Sequence, residues 1–357
     1  MNKKFGKLLL LPIFLGLLLL ALTACSSYDE NYAIYDLWVA GVKVTTRNSA
    51  DILGDGTVSY VGDGKSGTLT LNGADITESS NEDAEAFIVS TIDSLTVNLV
   101  GENRIGMGEK APVNGISAFD LKIEGEGSLA VGARASCIKA ESLTVESGKI
   151  DTYIKTASDE IATFIGVGFW AQELLTVNGG DIRVHYSPEF TAISYGLYCV
   201  KDLTVNGGSI EIKREDAAAL GIGIISSEKL TIAGGNITVY GNDDAMNAKT
   251  FAMTGGTVNA SAVDRFLAGF NPATGEFVFA SDGVCRLVNH AEFSGGSLTL
   301  TALDRTGTDT TPTFLSKDLV LDGMSVSGGD TVDTLREKDS TTYTYTDICI
   351  RIEREGN

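Results

Sequence analysis

A phrase of the form Leu-Thr-Val-Asn-Gly-Gly-x-Ile recurs along the middle of the chain and restricts how it can fold. Its clear and weaker copies begin at Leu121, Leu143, Leu175, Leu203, Leu230, Phe251 and Phe293. Successive copies are 22, 32, 28, 27, 21 and 42 residues apart. Repeats of this length are typical of solenoids and other stacked arrays. Because the last step is twice the one before it, we expect one degenerate copy around Phe277 to Phe279.

Each copy predicts two short strands around a glycine corner. In the copy that begins at Leu203, apolar residues alternate with polar ones, as in a half-buried strand. The alternation places four side chains on one face: Leu203, Val205, Ile210 and Ile212. Gly207-Gly208 supplies a bend that residues with a Cβ would resist. A third apolar stretch precedes each copy, as in residues 221–225, so each repeat predicts three short strands.

We therefore predict an all-β protein, a single-stranded right-handed parallel β-helix with an irregular N-terminal cap. One coil cannot bury its own apolar face, so stacked coils share a core. Adjacent coils lie about 4.8 Å apart, so equivalent residues form columns. A β-sandwich is the main alternative, and it would need hairpin signals between alternating runs. The residues expected to point inward are Leu143, Val145, Leu203, Val205, Ile210, Ile212, Leu230, Ile232 and Ile237.

Residues 1–24 read as a secretory signal and not as part of the fold. Three lysines precede an apolar stretch from Leu8 to Leu22, which is the layout of a signal peptide. A transmembrane helix is the alternative, but that needs about 18 apolar residues. The stretch ends in Leu-Thr-Ala-Cys25, which looks like a bacterial lipobox. We expect Cys25 to be acylated, palmitate being one suitable chain, and to anchor an exported protein that faces the cell exterior.

The rest of the chain divides by the regularity of its pattern. Residues 25–34 are polar and would form a tether. Residues 35–100 read as an N-terminal cap with the first coils, and residues 101–330 as the β-helix coils. Residues 331–357 read as a C-terminal cap strand.

Composition excludes some partners and sites. The formal net charge is −20, and phosphate contacts need Lys and Arg, so nucleic acid is excluded as a partner. The chain has only 2 His, which excludes a His-rich metal site. The cysteines beyond Cys25 fall at no metal-like spacing. We expect them to be buried thiols, with disulfides as the alternative in an exported protein: Cys137, Cys199, Cys285 and Cys349.

Three stretches carry a resemblance to a known family: Tyr35-Asp-Leu-Trp-Val-Ala-Gly-Val-Lys-Val44, Leu95-Thr-Val-Asn-Leu-Val-Gly-Glu-Asn103 and the repeated phrase. In these the chain resembles exported bacterial carbohydrate-binding β-helix proteins, which are similar to pectate lyases. The resemblance covers most of the mature chain and implies acidic polysaccharide and Ca²⁺. Many members carry Asp-Asp-Gly/Ala-Ile-His-Ala, where residues 243–248 here read Asp-Asp-Ala-Met-Asn-Ala. Asn247 therefore stands where a His is common.

An acidic position follows the second strand of successive copies, and it suggests a metal site. The acids are Asp216, Asp243, Asp244 and Asp264. Stacked coils would bring them to one corner, where like charges are unfavourable unless water or a cation screens them. Ca²⁺ takes six to eight oxygen ligands and suits clustered carboxylates. The alternative is that these residues simply serve turns.

Binding residues can be proposed by type and position. Flat aromatic rings suit the apolar face of a sugar, and Trp170 and Tyr186 are the aromatics we expect to be exposed. Arg183 and Arg214 could meet the carboxylates of a uronate polymer. Ion pairing on the surface, or core packing for the rings, is the alternative for each.

The sequence favours a lipid-anchored binding protein for acidic (uronate) polysaccharide that uses Ca²⁺. A structural or adhesin-like surface protein is the first alternative. A lyase or hydrolase is the second, and it is less favoured because the chain lacks the His and Arg-Ile-Lys motifs of β-helix hydrolases. No catalytic residue is assigned.

Overall fold

The computed structural model describes residues 33–81, 85–108, 112–155, 165–186, 194–213, 221–241, 244–263, 267–271, 276–280, 285–303, 313–330, 336–337, 344–345, 347 and 349–355. These residues form an all-β structure without helices. Of the 29 strands they contain, 27 belong to one sheet in which most neighbours run parallel. No helix among the described residues could cross a bilayer. The prediction of an all-β structure dominated by parallel pairing is confirmed.

The strands are numbered in chain order. The first twelve are β1 (Ile34–Val39), β2 (Val42–Thr45), β3 (Val58–Gly62), β4 (Ser66–Asn72), β5 (Asp75–Ile76), β6 (Ala86–Ser90), β7 (Ser94–Val100), β8 (Glu102–Ile105), β9 (Asn114–Gly125), β10 (Ser128–Ala133), β11 (Ser136–Val145) and β12 (Lys149–Ile154). The next are β13 (Gly166–Val177), β14 (Asp181–Tyr186), β15 (Ser194–Cys199), β16 (Asp202–Val205), β17 (Ser209–Lys213), β18 (Gly221–Ile232), β19 (Asn236–Gly241), β20 (Met246–Val263) and β21 (Leu267–Asn271). The last are β22 (Glu276–Ala280), β23 (Cys285–Leu303), β24 (Phe314–Ser316), β25 (Leu319–Leu321), β26 (Met324–Gly329), β27 (Arg336–Glu337), β28 (Thr344–Tyr345) and β29 (Cys349–Arg354).

Most strands join three parallel ladders, and each repeat gives one strand, or one part of a long strand, to each ladder. The first ladder runs β6, β9, β11, β13, β15, β18, β20, β23, β24. The second runs β4, β7, β9, β11, β13, β16, β18, β20, β23, β25. The third runs β5, β8, β10, β12, β14, β17, β19, β20, β23.

Equivalent residues of successive repeats pair directly, which builds the core from columns. In the second ladder Leu175 pairs with Leu203, and Leu203 pairs with Leu230. All of the residues predicted to point inward are at most 1% exposed: Leu143, Val145, Leu203, Val205, Ile210, Ile212, Leu230, Ile232 and Ile237. Thr204 and Asn206, which alternate with them, are half-buried and exposed. The alternation of each copy therefore sets which face of the strand enters the core.

The glycine pair of each copy forms the corner between the second and third ladders. Gly208 has φ +84°, in the left-handed region where L side chains are strained. A Cβ on Gly208 would also lie 2.7 Å from the Gly180 carbonyl oxygen of the preceding repeat. The second glycine is thus required both by the backbone conformation and by the close approach of the neighbouring corner.

A column of small residues on the first ladder lets it pack against the third. A Cβ on Gly196 would lie 2.7 Å from Ile212 Cδ1, and one on Gly223 would lie 2.1 Å from Val239 Cγ2. Cys137 holds the equivalent place, because the residues on both sides of it pair with those beside Gly168. The β-branched side chains of the third ladder fill the space that these small residues leave.

The prediction of a degenerate copy around Phe277 to Phe279 is wrong. Strand β20 pairs directly with β23, so no further repeat lies between them in the ladders. The intervening β21 and β22 instead form a separate antiparallel hairpin. Phe293 pairs with Met253 and not with Phe251, so the Gly-Gly pair, and not the first apolar residue, gives the correct alignment of these copies.

Antiparallel pairs occur at both ends of the sheet. Near the N-terminus β1 pairs with β2 and β6, and β3 pairs with β4. Near the C-terminus β29 pairs with both β23 and β26, and Ile352 lies opposite Leu298 and Val326. These pairings cover strand edges that would otherwise be open.

Three of the cysteines are buried free thiols, as predicted: Cys137, Cys199 and Cys349. Burial raises the pKa of the Cys137 thiol to about 12 and that of Cys199 to about 11. The side chain of Cys285 lies outside the described residues.

Candidate functional site

The outward face of the third ladder brings polar and aromatic side chains of three repeats together. Asp151 on β12 pairs with Arg183 on β14, which pairs with Glu211 on β17. Two residues further along the same strands, Tyr153 pairs with His185, and His185 pairs with Lys213. We call these six residues the third-ladder face. Alternation produces it, because the residues between them, such as Ile182 and Ile212, point into the core.

An aromatic pair lies at the centre of the third-ladder face. The rings of Tyr153 and His185 are nearly parallel, with centroids 4.6 Å apart and planes 8° apart. His185 Nε2 lies 3.2 Å from Asp151 Oδ1. The His185 side chain is 34% exposed. The Asp151 contact and the stack together hold the imidazole in one orientation on a solvent-accessible surface.

The charged residues of the face form a chain of ion pairs. Arg183 Nη2 lies 2.8 Å from Asp181 Oδ2, and Arg183 Nε lies 3.5 Å from Glu211 Oε2. Lys213 Nζ lies 2.5 Å from Glu211 Oε1, and this hydrogen bond is the main cause that lowers the pKa of the Glu211 carboxyl. These charged groups can bind hydroxyl or carboxylate groups of a ligand in place of their present partners. Arg183 is partly exposed and both of its pairing partners are acids of this protein, which is the surface ion pairing named above as the alternative to a binding role.

The two predicted aromatic binding residues occupy different environments. Trp170 on β13 is partly exposed, and Lys139 Nζ lies 4.4 Å from its ring centroid in a cation–π contact. It packs against a cluster outside the main core that buries Val167, Tyr195 and Tyr198. The expectation that Tyr186 is exposed is wrong, because its side chain is only 7% exposed and joins the core. Tyr186 follows Ile182 and Val184 at a period of two, so the alternation of β14 turns its ring inward.

Most of the predicted metal ligands lie outside the described residues. They are Asp216, Asp243 and Asp264. The proposed sugar-binding residue Arg214 and the lipidation residue Cys25 also lie outside the described residues. Asp244 is described and is 5% exposed. Its Oδ2 accepts a hydrogen bond of 2.9 Å from Asn247 Nδ2. The described part of the chain contains no group of three or more His, Cys, Asp or Glu side chains suited to hold a metal ion.

Of the six residues of the third-ladder face, the sequence pointed only to Arg183, and it did not reveal Asp151, Tyr153, His185, Glu211 and Lys213 as its neighbours. The signal was available in the alignment of the copies. Residues 149–154 read Lys-Ile-Asp-Thr-Tyr-Ile, and residues 181–186 read Asp-Ile-Arg-Val-His-Tyr. Placing these strands side by side puts Asp151 next to Arg183 and Tyr153 next to His185.

A family model described as "Carbohydrate-binding domain-containing protein" matches residues 168–265. The match suggests carbohydrate binding. It covers less than a third of the chain and takes in β14, β17, β19 and nearly all of β13. No curated protein and no solved structure matches the chain. The matched segment supplies four of the six residues of the third-ladder face, namely Arg183, His185, Glu211 and Lys213.

Proposed function

We propose that this protein is an exported, lipid-anchored carbohydrate-binding protein that holds a polysaccharide on its third-ladder face. The observation that carries the proposal is the coincidence of the carbohydrate-binding family match with that face. A sugar offers hydroxyl groups to polar side chains and an apolar ring face to aromatic ones. The third-ladder face supplies both kinds of partner within three neighbouring strands.

The repeat makes the face suited to a polymer. Neighbouring strands of a parallel ladder lie about 4.8 Å apart, so similar groups recur at that interval. The outward column continues past Glu211 through Thr238 and Asn259 to Thr299, all of which can hydrogen-bond. A chain of sugars that runs along the ladder would meet one such side chain on each strand. We propose this orientation for the bound glycan.

We propose further that the glycan is acidic and that Ca²⁺ takes part in holding it. A protein with a net charge of −20 repels a polyanion unless cations intervene. The acidic residues that recur after successive strands, Asp216, Asp243, Asp244 and Asp264, supply the oxygen ligands that Ca²⁺ prefers. Ca²⁺ bound there could also meet a uronate carboxylate.

The proposal also includes the handedness of the fold and the location of the protein in the cell. The three parallel ladders are in register and each repeat contributes a strand to each of them, which supports a single-stranded right-handed parallel β-helix. Lipidation of Cys25 would place this array on the outer surface of the membrane, where extracellular polysaccharide is accessible.

A glycan array with the purified protein, read with Ca²⁺ and with a chelator, tests the function. We expect binding to acidic polysaccharides that weakens in the chelator. The variant His185→Ala should weaken that binding, whereas Thr204→Ala, on the outward side of the second ladder, should not. A protein that binds no glycan would contradict the proposal and favour a structural or adhesin-like role.

A further inference from the structure

The corner between the second and third ladders changes length partway along the array of repeats. Strand pairing places residues 98–102, 124–128 and 146–149 at this corner in three successive repeats. The first two segments have five residues and the third has four. The following repeat keeps the shorter corner, in residues 178–181. The surface therefore has a step where residues 124–128 meet residues 146–149.

A cavity of about 730 Å³ lies at this step and is open to solvent. It is lined by Asn98 to Glu102, Gly125 to Ser128 and Lys149, so all three corners contribute to it. The first two corners stack closely, because a Cβ on Gly127 would lie 2.6 Å from the Gly101 carbonyl oxygen. Ligand sites typically have volumes of about 300–1,000 Å³, and this cavity is in that range.

The polar side chains around the cavity have few partners within the described part of the chain. Glu102 and Glu126 are exposed, and neither carboxylate lies within ion-pairing distance of a described Lys or Arg. The half-buried Asn98 side chain makes no hydrogen bond with a described residue. Lys149 Nζ lies 3.9 Å from Asp151 Oδ2 and is half exposed. Unlike the paired charges of the third-ladder face, these groups are available to a ligand.

The cavity adjoins the third-ladder face. Glu102 pairs with Ser128, and Ser128 pairs with Lys149, so the three form an outward row at the beginning of β8, β10 and β12. The short Ser128 side chain leaves space between its two longer neighbours, whose strands are two inter-strand spacings, or about 9.6 Å, apart. Lys149 both lines the cavity and lies beside Asp151 of the third-ladder face. A glycan on that face could therefore continue into the cavity.

We propose that this cavity binds one neutral, hydroxyl-rich hexose unit of the glycan. The carboxylates of Glu102 and Glu126 accept hydrogen bonds from sugar hydroxyls, and the Lys149 ammonium donates to a sugar oxygen. Two carboxylates against one ammonium repel a uronate carboxylate, so the unit is neutral. Val100, which is 42% exposed, offers an apolar contact to the sugar ring. The inference rests on the proposed function and adds a subsite outside the segment that the family model matches.

Titration calorimetry with neutral oligosaccharides of galactose, glucose and mannose, in the presence of a chelator, tests the cavity. We expect the wild type to bind at least one of them without Ca²⁺, because the cavity supplies its own hydrogen-bonding groups. Glu102→Gln and Glu126→Gln should each weaken this binding by about tenfold, as loss of a charge-assisted hydrogen bond predicts. Neither variant should weaken the binding of oligogalacturonate in Ca²⁺. Glu141→Gln, which removes the same charge from an exposed residue away from the cavity, is the matched control.

The outcomes separate the cavity from the function. If the wild type binds oligogalacturonate but no neutral oligosaccharide, or if both Gln variants bind the neutral sugar as the wild type does, the cavity assignment is wrong and the proposed function stands. Neutral-sugar binding that requires Ca²⁺ would also overturn the assignment, because the carboxylates would then hold a cation. If the wild type binds no glycan, both fail. Equal thermal melts of the Gln variants and the wild type, expected for exposed side chains, show that folding is unaffected.

Discussion

Single residues in the small column determine how closely the first and third ladders approach. Cys137 takes the place that Gly115 and Gly168 hold in adjacent repeats, and it is fully buried. A thiol is small and behaves as a hydrophobic group. Burial penalises its thiolate, which raises its pKa to about 12 from an ordinary value of 9.0. The folded state therefore retains a proton that the unfolded chain loses in base.

This shift predicts how stability changes at high pH. A group whose pKa is raised by folding stabilises the protein fully below its unfolded pKa, and the contribution is lost as pH rises. For Cys137 the loss should extend from pH 9 to about 12. We expect the free energy of unfolding to fall less steeply over this range in Cys137→Ala than in the wild type, measured by urea unfolding at each pH. Identical slopes for the two proteins would contradict the assignment.

At the scale of an element, the alternation along each strand decides which changes the sheet tolerates. In β16 the side chain of Leu203 is fully buried, while the next residue, Thr204, faces outward. The outward positions of the second ladder are threonines in successive repeats: Thr144, Thr176, Thr204 and Thr231. Threonine has high β propensity and can face solvent, which explains its recurrence where no core contact is available.

The same substitution on adjacent residues of β16 should therefore have opposite outcomes. Val205→Asp places a charge where the wild-type side chain is 0% exposed, and we expect a loss of several kcal/mol, on the order of 3–5, from an unpaired buried charge. Thr204→Asp keeps its charge in water and should change stability by about 0.5 kcal/mol or less. Thermal unfolding of both variants measures the difference. Similar melting temperatures would show that the inward face of β16 has been assigned wrongly.

At the scale of the whole molecule, stability comes from contacts between neighbouring repeats. In such arrays the stability is approximately a sum of repeat terms and interface terms. Ion pairs on the surface also join neighbouring repeats. One of them links Lys249 Nζ to Glu228 Oε2 at 2.7 Å. A metal ion that joins two repeats would strengthen the array in the same way.

The proposed Ca²⁺ site predicts a stabilisation of this array. A ligand that binds only the folded state at 100 times its dissociation constant adds about 2.7 kcal/mol. We expect Ca²⁺ to raise the melting temperature of the wild type but not that of Asp243→Ala/Asp244→Ala. The exposed carboxylate variant Asp202→Ala should still respond. Equal melting temperatures with Ca²⁺ and with chelator in the wild type would leave these acids as turn formers.

Anchoring is also a property of the whole molecule. Cys25→Ala removes the sulfur that would carry the acyl chain, so acyl labelling in cells should be lost and the protein should be released or remain as precursor. Ser26→Ala leaves the lipobox cysteine in place and should label as the wild type does. Metabolic labelling with a fatty acid followed by fractionation measures both. Unchanged labelling of Cys25→Ala would show that the lipobox assignment is wrong.

Much of the fold could be predicted because its information is local. Alternation in each copy gave the inward residues, and the Gly-Gly pair gave the corners. The insertion between Phe251 and Phe293 could not be recognised, because a step of 42 residues fits both one long repeat and two short ones. The direct pairing of β20 with β23 shows that the step is one long repeat, and strand pairing is a long-range property.

The sequence by itself determined that the chain is all-β, that its copies stack in parallel and which side chains fill the core, since each follows from a period of two and a repeated phrase. Only the tertiary structure decided the surface. It stacked the His185 ring on Tyr153 and brought Asp151 Oδ1 to 3.2 Å from the His185 imidazole. The physical reason is that neighbours across a ladder are about 20 to 40 residues apart in the chain. Their contacts depend on register and on the size of residues in adjacent repeats, which no single copy contains.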